Sequence, residues 1–141
     1  MKIAVVILNW NTKDYLRMFL PPLLDSVAMF NGGVSSLETS LAENGSRQAD
    51  GQPDWAEVVV ADSASTDGSM EMMAEKFPSV RRIPLEKNYG FTGGYNRALK
   101  MLCDNPSEDI APTSGETARS IPYDLFILLN SDIEVTRDWL R

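Results

Sequence analysis

The chain has 141 residues, enough for one domain or for part of a larger one. Its 43% apolar content supports a core and excludes a disordered chain. No apolar run approaches the roughly 18 residues needed to cross a bilayer, and a net charge of −7 argues against a nucleic-acid partner. The single cysteine, Cys103, permits no internal disulfide and fits a reducing compartment. The chain has no histidine, which removes the commonest general base and any His-based triad or zinc site.

The opening segment MKIAVVILNWN does not read as a secretory signal. Its apolar stretch is short, ends at Asn9 and lacks a small-residue cleavage site. Residues 3–8, IAVVIL, are continuous and rich in β-branched side chains, as in a strand buried on both faces. Over 12–27, Tyr15, Leu16, Phe19, Leu20, Leu23 and Val27 follow helical spacing, and Pro21-Pro22 should kink or split that helix. Residues 31–54 read as a surface insertion rich in Gly and Ser, within which SSLETSLAEN could form a short helix. Residues 56–61, AEVVVA, predict a second buried strand, and the Met70, Met73, Ala74, Phe77 spacing predicts a helix over 69–77, stopped by Pro78.

Residues 80–85, VRRIPL, predict a weaker strand, which Pro84 pushes toward a strand end or a sheet edge. Tyr95, Ala98, Leu99 and Leu102 predict a helix over 93–102. Residues 104–122 form a second insertion, rich in Pro, Ser and Thr. Residues 125–129 predict a fourth strand, buried like the first two. The alternation β-α-β-α-β-α-β predicts an α/β fold with a mostly parallel sheet flanked by helices. Each insertion carries four acids against one Arg, so most of the surplus negative charge lies away from the core elements.

Polar clusters stand at the carboxyl end of each predicted strand, where open α/β sheets bind ligands. They are Asn9-Trp10-Asn11, the segment ADSASTDGS over 61–69, EKNYGFTGGYNRA over 86–98, and Asn130-Ser131-Asp132. A turn explains any one of these; four together point to a site. Asp62 could accept from a ribose hydroxyl or a base imino N–H, or it could be a turn or capping carboxylate. Ser65, Thr66 and Asp67 suit the N-cap of the helix over 69–77. Asn88 and Asn96 could orient ligand oxygens or close a loop. Lys87 and Arg97 could meet phosphate or face solvent. The glycine-rich start at Gly90 resembles an anion-binding helix N-terminus, although it is neither GxGxxG nor a P-loop. Asp132 is a hard oxygen ligand of the kind Mg²⁺ or Mn²⁺ prefers, with a diphosphate supplying further oxygens.

The segments VVILNWN, VVVADSASTDGS, NYGFTGGYNRAL and FILLNSDIEV together resemble the family 2 inverting glycosyltransferases of GT-A fold, in their bacterial rhamnosyltransferase-like branch. The resemblance implies transfer of a sugar from a UDP-, dTDP- or GDP-sugar to a saccharide or lipid-linked acceptor in polysaccharide biosynthesis. It implies a divalent metal, Mg²⁺ or Mn²⁺, and a cytoplasmic location at the inner face of the membrane, with peripheral membrane association of the full-length enzyme. By the same resemblance Asn9, Asn11, Asp62, Asn88, Gly90, Asn96 and Asn130 would bind the nucleotide sugar, and Asp132 would bind the metal in a DxD-like motif. Asn130 stands in place of that motif's first Asp, and Ser63 stands where Asn is usual. Family members continue past this motif. The chain is therefore expected to be the donor-binding half, inactive alone, with the catalytic base beyond Arg141 and a further helix beginning at RDWLR. Two alternatives remain: a sugar nucleotidyltransferase, disfavoured because the loop after the first strand has no glycine, and a non-catalytic nucleotide-binding domain.

Overall fold

The structure is a computed structural model and describes residues 1–32, 54–104 and 123–140. The greater parts of both expected insertions, including the short helix in SSLETSLAEN, lie outside the described residues. In chain order the elements are β1 (Lys2–Asn9), α1 (Lys13–Phe30), β2 (Trp55–Asp62), α2 (Ser69–Lys76), β3 (Arg81–Pro84), α3 (Gly90–Asp104) and β4 (Leu125–Asn130). Among the described residues the strands form one parallel sheet of order β3-β2-β1-β4, so the expected α/β architecture holds. β3 lies at an edge, as Pro84 suggested. No described helix is long and apolar enough to cross a membrane.

Successive strand side chains point to opposite faces, and this divides the core in two. Ile3, Val5, Ile7, Val58 and Val60 pack under α1 and α2, against Leu16, Leu20, Leu23, Val27, Met72 and Met73. Ala4, Val6, Val59 and Ala61 pack under α3, against Tyr95, Ala98 and Leu102. Each fully buried Leu or Val of this kind contributes about 1.5–3 kcal/mol of burial free energy. That is why the helical stripes and the strand runs seek each other.

Three expectations need correction. Of the expected kink or split at Pro21-Pro22, the split does not occur; α1 runs unbroken from Lys13 to Phe30. The carbonyls that lose their N–H partners to the two prolines belong to Arg17 and Met18, both exposed, so water can satisfy them while Leu16, Leu20, Leu23 and Val27 anchor the helix on both sides. β4 is not buried like β1 and β2. Among the described residues it is the other edge of the sheet, and Leu125 and Leu128 are 44% and 48% exposed. An apolar run reports which residues can be buried, not how many sides are covered. Finally, residues 136–139 make one turn, closed by Trp139 N–H on the Thr136 carbonyl, and not the start of a helix. Val135 and Leu140 nevertheless reach the α1 side of the core, and Leu140 N–H donates to Ser26 Oγ at 3.1 Å.

Candidate functional site

β1 has β2 on one side and β4 on the other, so the strand order reverses at β1: chain segments leave it in both directions. Such a reversal opens a crevice beyond the carboxyl ends of the strands. A cleft of about 460 Å³ lies there. Leu8, Trp10, Thr12 and Tyr15 line it from the end of β1 and the start of α1, and Ser63 from the end of β2. Asn88, Gly90 and Phe91 contribute from the start of α3, and Asn130, Ser131 and Asp132 from the end of β4.

The Asn130-Ser131-Asp132 segment is both a turn and a cleft wall. The Asn130 carbonyl accepts from Ile133 N–H at 3.3 Å, and the turn leaves Asp132 exposed. Asn88 has a double role too. Its Oδ1 accepts from Gly90 N–H at 2.8 Å, which satisfies a free donor at the start of α3. Gly90 has φ +72° with open space where a Cβ would stand, so the backbone angle calls for glycine there, not crowding. The ring of Tyr95 fastens α3 to this end of the sheet: its hydroxyl donates to the Leu129 carbonyl at 2.9 Å. Burial raises the pKa of that hydroxyl.

Asn9, Asn11 and Asp62 stand together but outside the lining. Asn9 pairs in register with Asp62, and the two-residue alternation aims both toward the α1 and α2 face. Both are buried, at 0% and 3% exposure. Asp62 Oδ1 accepts from Asn9 Nδ2 at 2.7 Å and Oδ2 from Ser65 N–H at 2.9 Å. Asn9 Nδ2 also reaches Ser65 Oγ at 3.1 Å, while its Oδ1 accepts from Thr12 Oγ1. Thr12 Oγ1 lies 3.0 Å from Ser131 Oγ, beside Asp132. Asn11, at φ +53°, stitches the same two loops: its N–H donates to Ser65 Oγ and its Oδ1 accepts from Thr66 N–H. The network thus runs from the end of β2 beneath the cleft to the end of β4. Asn96, by contrast, lies exposed on α3 outside the lining.

Asp67 ties the starts of α1 and α2 together. Its Oδ2 accepts from Lys13 N–H at 2.9 Å and its Oδ1 from Ser69 N–H at 3.0 Å and from the Ser69 hydroxyl. Lys13 and Ser69 are the first residues of α1 and α2. One carboxylate therefore meets the positive ends of two helices. Burial alone would raise its pKa, but the hydrogen bonds from the Ser69 side chain and from the Lys13 and Ser69 amides outweigh it and hold the pKa below the ordinary value. The N-cap position of α2 is taken by Gly68 at φ +80°, not by Ser65, Thr66 or Asp67 as expected, and Ser65 and Thr66 serve the Asn9–Asn11 network.

The sequence reading missed several lining residues. Trp10, Tyr15 and Phe91 present aromatic surface and are 56%, 48% and 63% exposed. Tyr15 matched the apolar spacing of α1 yet faces out of its core stripe. Ser63 is 1% exposed, and its Oγ has no hydrogen-bond partner among the described residues. Counting alternation from Val59 and Ala61 would have placed it on the α3 face, with the cleft. Lys87 and Arg97 do not line the cleft. Both lie against the Tyr89 ring, with Lys87 Nζ at 5.2 Å and Arg97 Cζ at 3.5 Å from its centre. Asp132 is thus the one charged side chain among the lining residues. Among the described residues no three Asp, Glu, Cys or His groups gather to cage a metal.

Residues 35–104 match the family model for glycosyl transferase family 2. A search of curated proteins gives no match. Solved structures share the fold. S. aureus TarS is 22% identical with a TM-score of 0.53, over 97% of this chain and 18% of that one. TarS 1–349 in complex with UDP is 21% identical with a TM-score of 0.55, over 97% of this chain and 29% of that one. TarS 1–349 in complex with UDP-GlcNAc is 22% identical with a TM-score of 0.53, over 97% and 28%. This chain therefore spans less than a third of the length of the structures it matches.

Proposed function

We propose that this chain is the donor-binding part of a family 2 inverting glycosyltransferase of the rhamnosyltransferase-like branch, and that its cleft takes a nucleoside-diphosphate sugar. The observation that carries the reading is the position of the cleft. It lies at the reversal of strand order, is walled by the polar ends of β1, β2 and β4 and the start of α3, and belongs to a chain whose residues 35–104 match the glycosyl transferase family 2 model.

In this reading the aromatic faces of Trp10, Tyr15 and Phe91 give a planar base something to stack on. Asn88 and Asn130 offer amides that can donate to sugar or phosphate oxygens and accept from hydroxyls. Ser63 Oγ, buried and unpartnered, gains a partner from the ligand. Asn9, Asn11 and Asp62 act one layer below, holding the two loops and, through Thr12, the Ser131 hydroxyl.

A diphosphate brings several negative charges to a lining that has no Lys or Arg and one carboxylate. That donor set fits Mg²⁺ or Mn²⁺ bound through Asp132, with Asn130 and Ser131 as neighbouring oxygens and the phosphates completing the shell. When bound, the metal would supply charge neutralisation for the departing diphosphate. The base that deprotonates the acceptor is assigned to the remainder of a longer protein, together with the acceptor surface.

The experiment is calorimetric titration of the chain with UDP, dTDP and GDP in the presence of Mn²⁺, followed by product analysis of a longer protein with the matching labelled sugar donor. UDP is the first ligand to try, since the TarS structures hold UDP and UDP-GlcNAc. Binding of one nucleotide and release of free nucleoside diphosphate on transfer are expected. Release of pyrophosphate would replace the reading with nucleotidyl transfer.

A further inference from the structure

Glycine in the interior of a helix costs stability relative to alanine, yet α3 carries Gly93 and Gly94 within its first turns. Gly94 is buried, and a Cβ built on it would stand 2.7 and 2.8 Å from the two terminal methyls of Leu8 and 3.3 Å from its Cγ. Contacts that short do not persist, so one partner must move. The backbone of α3 is pinned by Tyr95, whose hydroxyl bonds the Leu129 carbonyl, and by buried Ala98 and Leu102. The Leu8 side chain is the flexible partner.

The neighbours of Leu8 decide where it can go. In the sheet it is paired with Ala61 on one side and Asn130 on the other, and α3 covers it from above. Leu8 is the last apolar residue of β1 and the only one of that strand's apolar residues that lines the cleft. The open direction is therefore the cleft itself.

We infer that Gly94 sets the depth of the ligand cleft: because residue 94 has no side chain, Leu8 lies back against α3, and a methyl group at 94 would drive Leu8 into the space the ligand occupies. Gly94 is a positioning residue in this account, acting through Leu8, and the inference deepens the donor-binding reading, on which its ligand arm rests. Gly93 is a contrast. A Cβ there would meet only the Tyr89 Cβ, at 3.1 Å, and Tyr89 is not in the lining.

The test is a double-variant cycle with two readouts. In Gly94→Ala, methyl NMR should show the Leu8 methyl resonances moving and gaining contacts to the cleft-lining rings of Trp10, Tyr15 or Phe91. Nucleotide affinity, read by calorimetry with UDP, dTDP and GDP, should fall about 5- to 100-fold, the range expected from overpacking a fitted site. In a Leu8→Ala background the group that intrudes is gone, and Gly94→Ala should then leave affinity within about twofold. Leu8→Phe, which leaves α3 untouched, should also weaken binding, because its ring can extend only into the cleft. Leu8 methyls that stay clear of the cleft in Gly94→Ala, or an equal affinity loss in both backgrounds, would overturn the inference. A wild-type chain that binds none of the nucleotides refutes the donor-binding reading instead, and the NMR arm still decides the role of Gly94.

Discussion

Asp62→Asn separates a residue that touches the ligand from one that holds the loops around it. The carboxylate is 3% exposed and accepts from Asn9 Nδ2 with one oxygen and from Ser65 N–H with the other. An amide keeps one oxygen and turns an NH₂ toward the second donor. One hydrogen bond to a charged acceptor is lost, worth about 1.5–3 kcal/mol, and a buried donor is left facing another donor. The total is about 2–4 kcal/mol of folding stability, or roughly 6–15 °C in Tm for a domain of this size. The assay is thermal melting followed by circular dichroism, beside nucleotide titration of the folded variant at low temperature. A large fall in Tm with a smaller, secondary fall in affinity is expected. If the Asn variant melts within about 2 °C of wild type while affinity drops tenfold or more, Asp62 reaches the ligand and the loop-holding account is wrong.

Three further outcomes are expected. Asp132→Ala should abolish the Mn²⁺-dependent part of nucleotide binding while leaving Tm within about 1 °C, because Asp132 is exposed and has no hydrogen-bond partner among the described residues; Mn²⁺ relaxation measured with and without nucleotide checks it. Asp67 has a pKa held below its ordinary value of 3.8, so the folded state binds fewer protons than the unfolded chain in that window. Its stabilisation is fully present above that value and is lost as pH falls through the lower folded value. Asp67→Asn should flatten the acid limb of a Tm-against-pH curve, and parallel limbs for the two proteins would refute its assignment to the helix ends. Ser63→Ala should leave stability unchanged or slightly raised, since it removes an unpartnered buried hydroxyl, while nucleotide affinity falls about 5- to 10-fold; calorimetry on the folded variant decides it.

The regular elements were legible because each depends on a local pattern. The runs in β1 and β2 and the three- and four-residue spacings of α2 and α3 specify their own geometry. What pattern alone did not reveal was context. Nothing in LFILLN says that β4 has one neighbour among the described strands, which is why Leu125 and Leu128 are expected inside. Nothing in Pro21-Pro22 says that the residues whose carbonyls they orphan, Arg17 and Met18, are exposed. At the site, the strand ends were found because polar clusters interrupt apolar runs, but the face of the sheet was not. Asn9 and Asp62 point to the α1 and α2 side, whereas Leu8 and Ser63 share the side of the cleft, a distinction that two-residue alternation contains only when continued past the strand ends. The aromatic wall is hidden in the sequence for a different reason: Tyr15 fits a helical stripe by spacing alone, and only packing reveals that it stands outside.

The place of β1 between β2 and β4 also bears on the order in which the molecule assembles. Lys2 N–H bonds the Asp124 carboxylate across 122 residues of chain, and Ile3 to Leu8 pair with Leu125 to Asn130. Contacts this distant in sequence close slowly, because the chain entropy must be lost before the pairing rewards it. β1 and β2 can meet while β4 is still unstructured, and Asn130, Ser131 and Asp132 arrive only with β4. On this ground the cleft is expected to form last, after β1 and β2 have paired. Pulse-labelled hydrogen exchange during refolding should find Val5 and Val58 amides protected before those of Ile127 and Leu129, with nucleotide binding recovering in step with the later pair.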